Sequence, residues 1–495
     1  PEMLKATRLK MEDERVNAEA AFHEIVGDYI DKLENMPDEY FSERAKDIKD
    51  VRDRVLRNLL CVEDSPTGRF DKPSIILADD LVPSETINLD KALVLGFCIA
   101  KGGPTSHTAI LARALGLPAV VGAGEKILDL ADDTRLILDG SRGEVIVEPG
   151  DEVKANYMKR QTVRQKRLSE TKKKAGDIAE TIDGKTIEVG ANIANVTEAE
   201  IAIENGADGV GLFRTEFLFL EHDHLPDEET QVRYYHEILD VFGDNPVKFT
   251  TLDIGGDKDI PYLNLEKEQN PFLGWRALRL SLSNPDLFRP QIRAAFLASS
   301  DEANLKFMLP MVTTISELIA AKELIQECRA QLEDEGYEIP RKTEIGVMIE
   351  TPAAALTADI FAEEADFFSI GTNDLCQYTM VADRTNPKVA SLASEFQPAV
   401  LLLIQKVITA GHKRGIRVGV CGEMASNPLA VPLLVGLEID ELSMNPPMIP
   451  LIKELIRSLN FAEMKKLTQG VLSMKEQKMI IETIKKEVPE IKKYL

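Results

Sequence analysis

The stretch that decides the fold opens Gly346-Val-Met-Ile-Glu350-Thr-Pro352 and closes Phe367-Phe-Ser-Ile370-Gly371-Thr-Asn373-Asp374. Each end is a short apolar run that stops at polar and turn-forming residues, which reads as a strand buried on both faces. Between them lies room for one helix. The unit repeats in both directions. Strands are predicted at Thr186–Ala191, Gly209–Phe213, Lys248–Asp253, Lys306–Leu309, Gly346–Glu350, Phe367–Ile370, Arg417–Val420 and Glu441–Met444, with amphipathic helices between them. Eight such units within residues 181–495 predict a (β/α)8 barrel. An open doubly wound sheet would need a glycine-rich GxGxxG turn after a strand, and no strand here is followed by one.

Upstream the pattern changes. Residues 150–180 are polar and helical, and they hold the basic part of an acidic chain: Lys159, Arg160, Arg164, Lys166, Arg167 and Lys172 to Lys174. A charge run of this kind reads as a solvated linker helix. Residues 63–149 carry short strand-like runs at Ser74–Leu77, Ala92–Leu95, Ala119–Val121, Arg135–Asp139 and Glu144–Val147, with one helix from about Ser106 to Leu115, and so read as a compact α/β domain. Residues 1–62 read as two helical pieces punctuated at Met36-Pro37-Asp38. The whole is a multidomain α/β chain.

Composition narrows the function. The chain has 495 residues, with 83 acidic against 59 basic side chains and a formal net charge of −24. A field of that sign disfavours nucleic acid and anionic lipid as general partners, but not a small anion met by gathered cations. The five cysteines (Cys61, Cys98, Cys328, Cys376 and Cys421) are scattered and without CxxC spacing, which favours a reducing cytoplasm. No apolar run approaches the roughly 20 residues of a membrane helix.

In a barrel the working face lies at the C-terminal ends of the strands. Those ends carry Arg214 and Glu216, Asp253, Glu350, Asn373 and Asp374, Cys421 and Glu423. Glu350 and Asp374 follow neighbouring strands and make a candidate pair for one hard cation, because Mg²⁺ takes one or two protein carboxylates and leaves its other positions to water and substrate phosphate. Arg214, Arg276 and Arg384 are candidate clamps for phosphate or carboxylate, since guanidinium forks bind such groups in two-pronged fashion. Cys421 is a candidate proton donor, set against the commoner role of an inert buried thiol. Outside the barrel, Gly102-Gly-Pro-Thr-Ser-His107-Thr-Ala-Ile110 runs from a glycine turn into a helix. That places His107 in the first turn, where free N–H groups favour an anion and a neutral imidazole can attack phosphorus. His222 and His224 flank Asp223, but no further ligand stands at a suitable spacing, so they read as a polar loop.

Those strings also carry a resemblance. Gly102–Ile110, with Ala112-Arg113 and Leu117-Pro-Ala-Val-Val-Gly122, resembles the phosphohistidine site of the phosphoenolpyruvate-utilising enzymes. Gly211-Leu-Phe-Arg-Thr-Glu-Phe-Leu218, Asp253-Ile-Gly-Gly-Asp-Lys258, Asn270-Pro-Phe-Leu-Gly-Trp-Arg276, Gly371-Thr-Asn-Asp-Leu375 and Cys421-Gly-Glu423 resemble the Enzyme I family of the bacterial sugar phosphotransferase system. Tyr40–Leu60 is similar to the last helix of that family's domain for the carrier protein HPr. The resemblance spans essentially the whole chain. It implies a partial helical HPr-binding domain at 1–62, a phosphohistidine domain at 63–149, a linker helix at 150–180 and a phosphoenolpyruvate-binding, dimerising barrel at 181–495. It further implies that an N-terminal segment precedes Pro1.

At matching positions the resemblance makes His107 the phosphorylated residue and Cys421 the acid that protonates the enolate to pyruvate. Glu350 and Asp374 would bind Mg²⁺. Arg214, Asn373, Asp374 and Arg384 would contact phosphoenolpyruvate, with Arg276 close by. The phosphoryl group would pass on to a histidine of HPr, in the cytoplasm, from a homodimer. Two departures stand out. The family has an arginine where this chain has Thr250, at the end of a barrel strand, and often an arginine where this chain has Pro104. Thr250, together with the short N-terminus the resemblance implies, raises an alternative, a family member or regulator that binds phosphoenolpyruvate but turns it over poorly.

Overall fold

The computed structural model describes residues 2–34, 48–49, 51–52, 55–56, 59–60, 72–79, 81, 93–102, 108, 112, 117–140, 142–256, 260–263, 265–266, 268–299, 305–340, 342–384, 386 and 388–494. The chain divides into two compact units, Pro1–Met158 and Lys159–Leu495.

In the first unit, α1 (Glu2–Glu14) and α2 (Ala18–Glu34) pack together through Phe22, Val26 and Ile30 of α2, a spacing that puts all three on one face. The sequence reading had one uninterrupted piece here, with its break at Met36. The structure adds an earlier break: Arg15 takes φ 54°, and the Asn17 side chain accepts the Ala20 N–H at 3.0 Å, so a new helix is capped at that point. The expected break at Met36-Pro37-Asp38 lies outside the described residues. Strands β1 (Ser74–Ala78), β2 (Val94–Ile99) and β3 (Ala119–Val120) form a parallel sheet in that order, and β4 (Leu136–Asp139) pairs antiparallel with β5 (Glu144–Val147). Strand β2 begins later and runs farther than the predicted Ala92–Leu95. Its apolar run continues through Phe97, Cys98 and Ile99, all fully buried. Gly96 lets the strand pass: a Cβ there would come within 2.6 Å of the Pro118 carbonyl oxygen. Helix α3 (Asp151–Lys173), which begins in this unit and ends in the second, follows and carries the basic run.

In the second unit all eight predicted strands form. They are β6 (Glu188–Ile193), β7 (Val210–Arg214), β8 (Val247–Thr250), β9 (Leu305–Leu309), β10 (Glu344–Ile349), β11 (Phe367–Ile370), β12 (Arg417–Val420) and β13 (Glu441–Met444). Every neighbouring pair is parallel, and β13 returns to β6 to close the barrel. The largest offset is at β8, which ends at Thr250 where the prediction ran on to Asp253, while β6 runs through Asn192 and Ile193 where the prediction stopped at Ala191. The outer faces of β7, β8 and β9 carry aromatic side chains. Phe249 meets Phe213 and Phe307 edge to face, with ring centroids 5.8 and 5.7 Å away, beneath the surrounding helices. At the N-terminal ends, Asp208, Asp366 and Asp440 accept the backbone N–H groups of Val189, Ile345 and Val418, each from the strand before. These contacts leave the opposite rim for chemistry.

The interior of the barrel departs from the usual packing of branched aliphatic residues. Leu212, Met308, Met348, Phe367 and Cys421 fill one part of it. The remainder is small or polar. Lys248 is buried in an ion pair with Glu441, and Asn192 is hydrogen-bonded to Ser443. A Cβ on Gly211 would collide with Ser443 and Glu441, and one on Gly346 would collide with the Phe367 ring. Among the described residues no helix is long and apolar enough to cross a membrane.

Candidate active site

Glu350 immediately follows β10 and is almost fully buried. Its Oε1 accepts the backbone N–H of Met311, from the loop after β9, at 2.6 Å. Met311 takes φ 57°, a conformation that side chains other than glycine rarely adopt, and such strain collects at functional sites. Gly371 closes the other side of Glu350, where a Cβ would lie 2.8 Å from Oε2. Burial, with the Asp374 and Asp253 carboxylates nearby, pushes the Glu350 carboxyl up to about 8, against the pull of Arg276.

Asp374 was expected at a strand end. It lies instead in the first turn of the helix Thr372–Met380 that follows β11. Its Oδ1 is buried with no hydrogen-bond partner among the described residues, 3.7 Å from Arg276 Nη1, and its Oδ2 stands 4.0 Å from Arg384 Nη2. Asn373 beside it accepts the Glu423 N–H at 2.9 Å, joining this helix to the loop after β12.

Arg276 lies between a short turn at Pro271–Leu273 and the helix Leu278–Ser283. It is buried, and its Nη2 donates to both oxygens of Asp253, at 3.0 and 3.1 Å. Its Nη1 donates to the Tyr378 hydroxyl at 3.4 Å, and that hydroxyl donates in turn to the Phe272 carbonyl. Burial works against the charge of this guanidinium, but Asp253 and Asp374 hold it firmly protonated. Its Nη2 is thus occupied by Asp253 and its Nη1 faces Asp374, while its Nε is buried with no hydrogen-bond partner among the described residues. Asp253 and Tyr378 were not singled out as its partners, because only the tertiary fold brings them to Arg276.

Arg214 ends β7, level with Thr250 on β8. It makes no ion pair with any described carboxylate. Thr250 is buried, its Oγ1 lacks a hydrogen-bond partner among the described residues, and its carbonyl accepts from Thr215. Arg384 follows the helix that carries Asp374 and is partly exposed, with its backbone N–H on the Gln377 side chain.

Cys421 directly follows β12 and is buried against Met308, Met348 and Phe367. Burial pushes its thiol up to about 11, although Ser369 eases the ionised form. At neutral pH it is therefore a protonated sulfur that can give up a proton and would be a poor nucleophile. The four described cysteines are all free and buried.

His107 lies outside the described residues, as do Pro104 and Lys258. Among the described residues before and after His107, Gly102 takes φ 86°, and the Gly122, Ala123 and Gly124 N–H groups donate to the Lys101, Ile99 and Ala100 carbonyls. These bonds join the residues at the end of β2 to those that follow β3. Among the described residues His222 and His224 hydrogen-bond only to Leu218 O and Asp223, in agreement with a polar loop.

The donor set at the barrel mouth fits a divalent cation. Among the described residues no three His, Cys, Asp or Glu side chains converge into a closed cage. Two carboxylates do approach, one with an unpartnered buried oxygen and one disfavoured as an anion by its surroundings. A bound cation would relieve both, and two carboxylates are what Mg²⁺ ordinarily takes from a protein when substrate oxygens and water complete its shell.

Three family models match the chain: PEP-utilising enzyme, PEP-binding domain, over residues 168–461; PEP-utilising enzyme, mobile domain, over 70–143; and PEP-utilising enzyme, N-terminal, over 1–44. The phosphoenolpyruvate-protein phosphotransferase of Staphylococcus carnosus is 44% identical over 98% of this chain and 84% of its own length. That of Priestia megaterium is 43% identical over the same shares, and that of Listeria innocua is 43% identical over 99% and 86%. With an eight-stranded barrel whose C-terminal rim gathers carboxylates, arginines and a protonated thiol, and with relatives this close along nearly the full length, the chain belongs to the phosphoenolpyruvate–protein phosphotransferases, phosphotransfer enzymes of the phosphoenolpyruvate-utilising family.

Proposed function

We propose that this chain moves the phosphoryl group of phosphoenolpyruvate onto the ring nitrogen of its own His107, releases pyruvate, and passes the group to a histidine of the carrier HPr. The observation that carries the barrel half of this reading is the pairing of Glu350 and Asp374 at the mouth, beside a thiol that stays protonated at neutral pH. Glu350 and Asp374 would hold Mg²⁺, which the family generally requires; when bound, it would neutralise charge on the transferring phosphoryl group. Arg214 and Arg384 are the cations left for substrate phosphate and carboxylate, with the Asn373 amide beside them. Arg276 keeps Asp374 and Asp253 in place. Phosphoryl transfer leaves enolpyruvate, and the Cys421 thiol delivers its proton to the methylene carbon.

Around this core we place the reaction in the cytoplasm and pair two copies through their barrels. Apolar side chains exposed on loops of the working rim, among them Leu273 and Val381, support such pairing. Neither the matched domains nor the relatives' names favour the alternative of a regulator that binds phosphoenolpyruvate and turns it over poorly.

The test is a mixing experiment with phosphoenolpyruvate and Mg²⁺ and no ATP. A burst of pyruvate close to one per chain is expected, followed by steady turnover once HPr is added. No burst, or a burst that demands ATP, rejects the proposal.

A further inference from the structure

The wall of the barrel behind Cys421 is irregular in a way that serves the thiol. Strand β12 pairs with β13 only through Gly419 and Val420, so the backbone ladder on that side ends one residue short of Cys421. A side chain takes over: Asn192 Nδ2 donates to the Cys421 carbonyl at 2.9 Å. The amide is oriented by Ser443, whose Oγ donates to Asn192 Oδ1 at 2.7 Å. On the opposite side the Cys421 N–H donates to the Ile370 carbonyl at 3.1 Å. The backbone at Cys421 is thus held from both flanks.

Regular structure is given up to make this arrangement. The register of β6 against β7 shifts between Ala191 and Asn192, the kind of bulge that re-aims a side chain. Gly211 leaves space for Ser443, since a Cβ there would come within 2.4 Å of its side chain. Asn192 and Ser443 are both buried, so each depends on the other for its hydrogen bonds. Nothing in closing a barrel requires a buried amide and hydroxyl at this depth, where aliphatic side chains ordinarily stack.

We infer that Asn192 and Ser443 are positioning residues for proton delivery by Cys421: together they fix the strand end so that the sulfur faces one side of the bound enolate. The inference rests on the reading of Cys421 as proton donor. In that step the S–H bond breaks, a C–H bond forms at the methylene carbon, and the thiolate regains its proton from water. Fixed placement makes the delivery one-sided. If the sulfur is loosely held, enolpyruvate takes its proton from either face.

The experiment follows the stereochemistry of the product. Phosphoenolpyruvate labelled stereospecifically with tritium at its methylene carbon is turned over by the full chain with Mg²⁺ and HPr in deuterium oxide, and the chirality of the pyruvate methyl group is read. The unaltered protein is expected to give one configuration. Ser443→Ala and Asn192→Ala are expected to give mixtures, with kcat for pyruvate formation down about tenfold and KM within about twofold, as for a displaced general acid. Ser443→Ala removes only a hydroxyl, so it tests the idea even if Asn192→Ala fails to fold, and thermal melting separates loss of fold from loss of placement. Cys421→Ala distinguishes the two layers of the argument. If it retains one configuration, the proton-donor reading fails. If it loses configuration while well-folded Ser443→Ala and Asn192→Ala keep it, the positioning role is overturned.

Discussion

Thr250 shows what a single side chain decides. Phosphoryl transfer depends on cations fixed around the moving group, and this position offers a neutral hydroxyl that is buried and without a hydrogen-bond partner among the described residues. A charge-assisted fork here is expected to contribute on the order of 3 kcal/mol to the transition state, about a hundredfold in rate. Thr250→Arg should therefore speed single-turnover phosphorylation tenfold or more, and an unchanged or slower rate counts against that account. Cys421 supplies a second prediction, this one about pH. Its thiol pKa rises from 9.0 in the unfolded chain to about 11 in the fold, so the native state keeps a proton that the unfolded state has already lost. The contribution is fully present below pH 9 and disappears as pH climbs through 11, a change on the order of 3 kcal/mol. Denaturant titrations across that window should fall more steeply for the unaltered protein than for Cys421→Ala. Parallel slopes would contradict the buried, protonated thiol.

Among the elements, the barrel strands were legible because burial on both faces writes them as apolar runs. The late end of β6 has a physical cause: Gly190 and Asn192 point into a barrel whose interior is small and polar, so the strand outlasts its apolar signal. Glu350 and Cys421 were legible from their strand ends and Asp374 from the turn just beyond, following a rule that needs no tertiary knowledge. The Asp253–Arg276–Tyr378 chain, the Met311 N–H and the Asn192–Ser443 pair were not, because each joins residues far apart in sequence. Alternation was the one available clue, since Lys248 shares an inward face with Thr250 and Glu441 shares one with Ser443. The Lys248–Glu441 pair yields an element-scale prediction. Lys248→Met strands a buried carboxylate and should cost about 3 kcal/mol, whereas Lys248→Met with Glu441→Leu should recover most of that loss. Denaturant midpoints decide the matter; additive losses would mean that the two side chains do not act as a pair.

At the scale of the whole molecule, the proposed reaction divides its residues between the two units, with the proposed substrate site on the barrel and His107 in the unit Pro1–Met158. Phosphoenolpyruvate with Mg²⁺, at a hundredfold excess over its dissociation constant, should stabilise only the unit that binds it, by about 2.7 kcal/mol. Calorimetry is expected to show the barrel transition rising and the other staying in place; equal shifts in both would speak against a site confined to the barrel. The claim on which everything else depends is that the phosphoryl group leaving the barrel arrives at His107. Intact-protein and peptide mass spectrometry after incubation with phosphoenolpyruvate and Mg²⁺ tests it directly. One acid-labile, alkali-stable phosphate on His107, absent from His107→Ala, is the predicted result. A phosphate on any other residue, or label retained by His107→Ala, would contradict it.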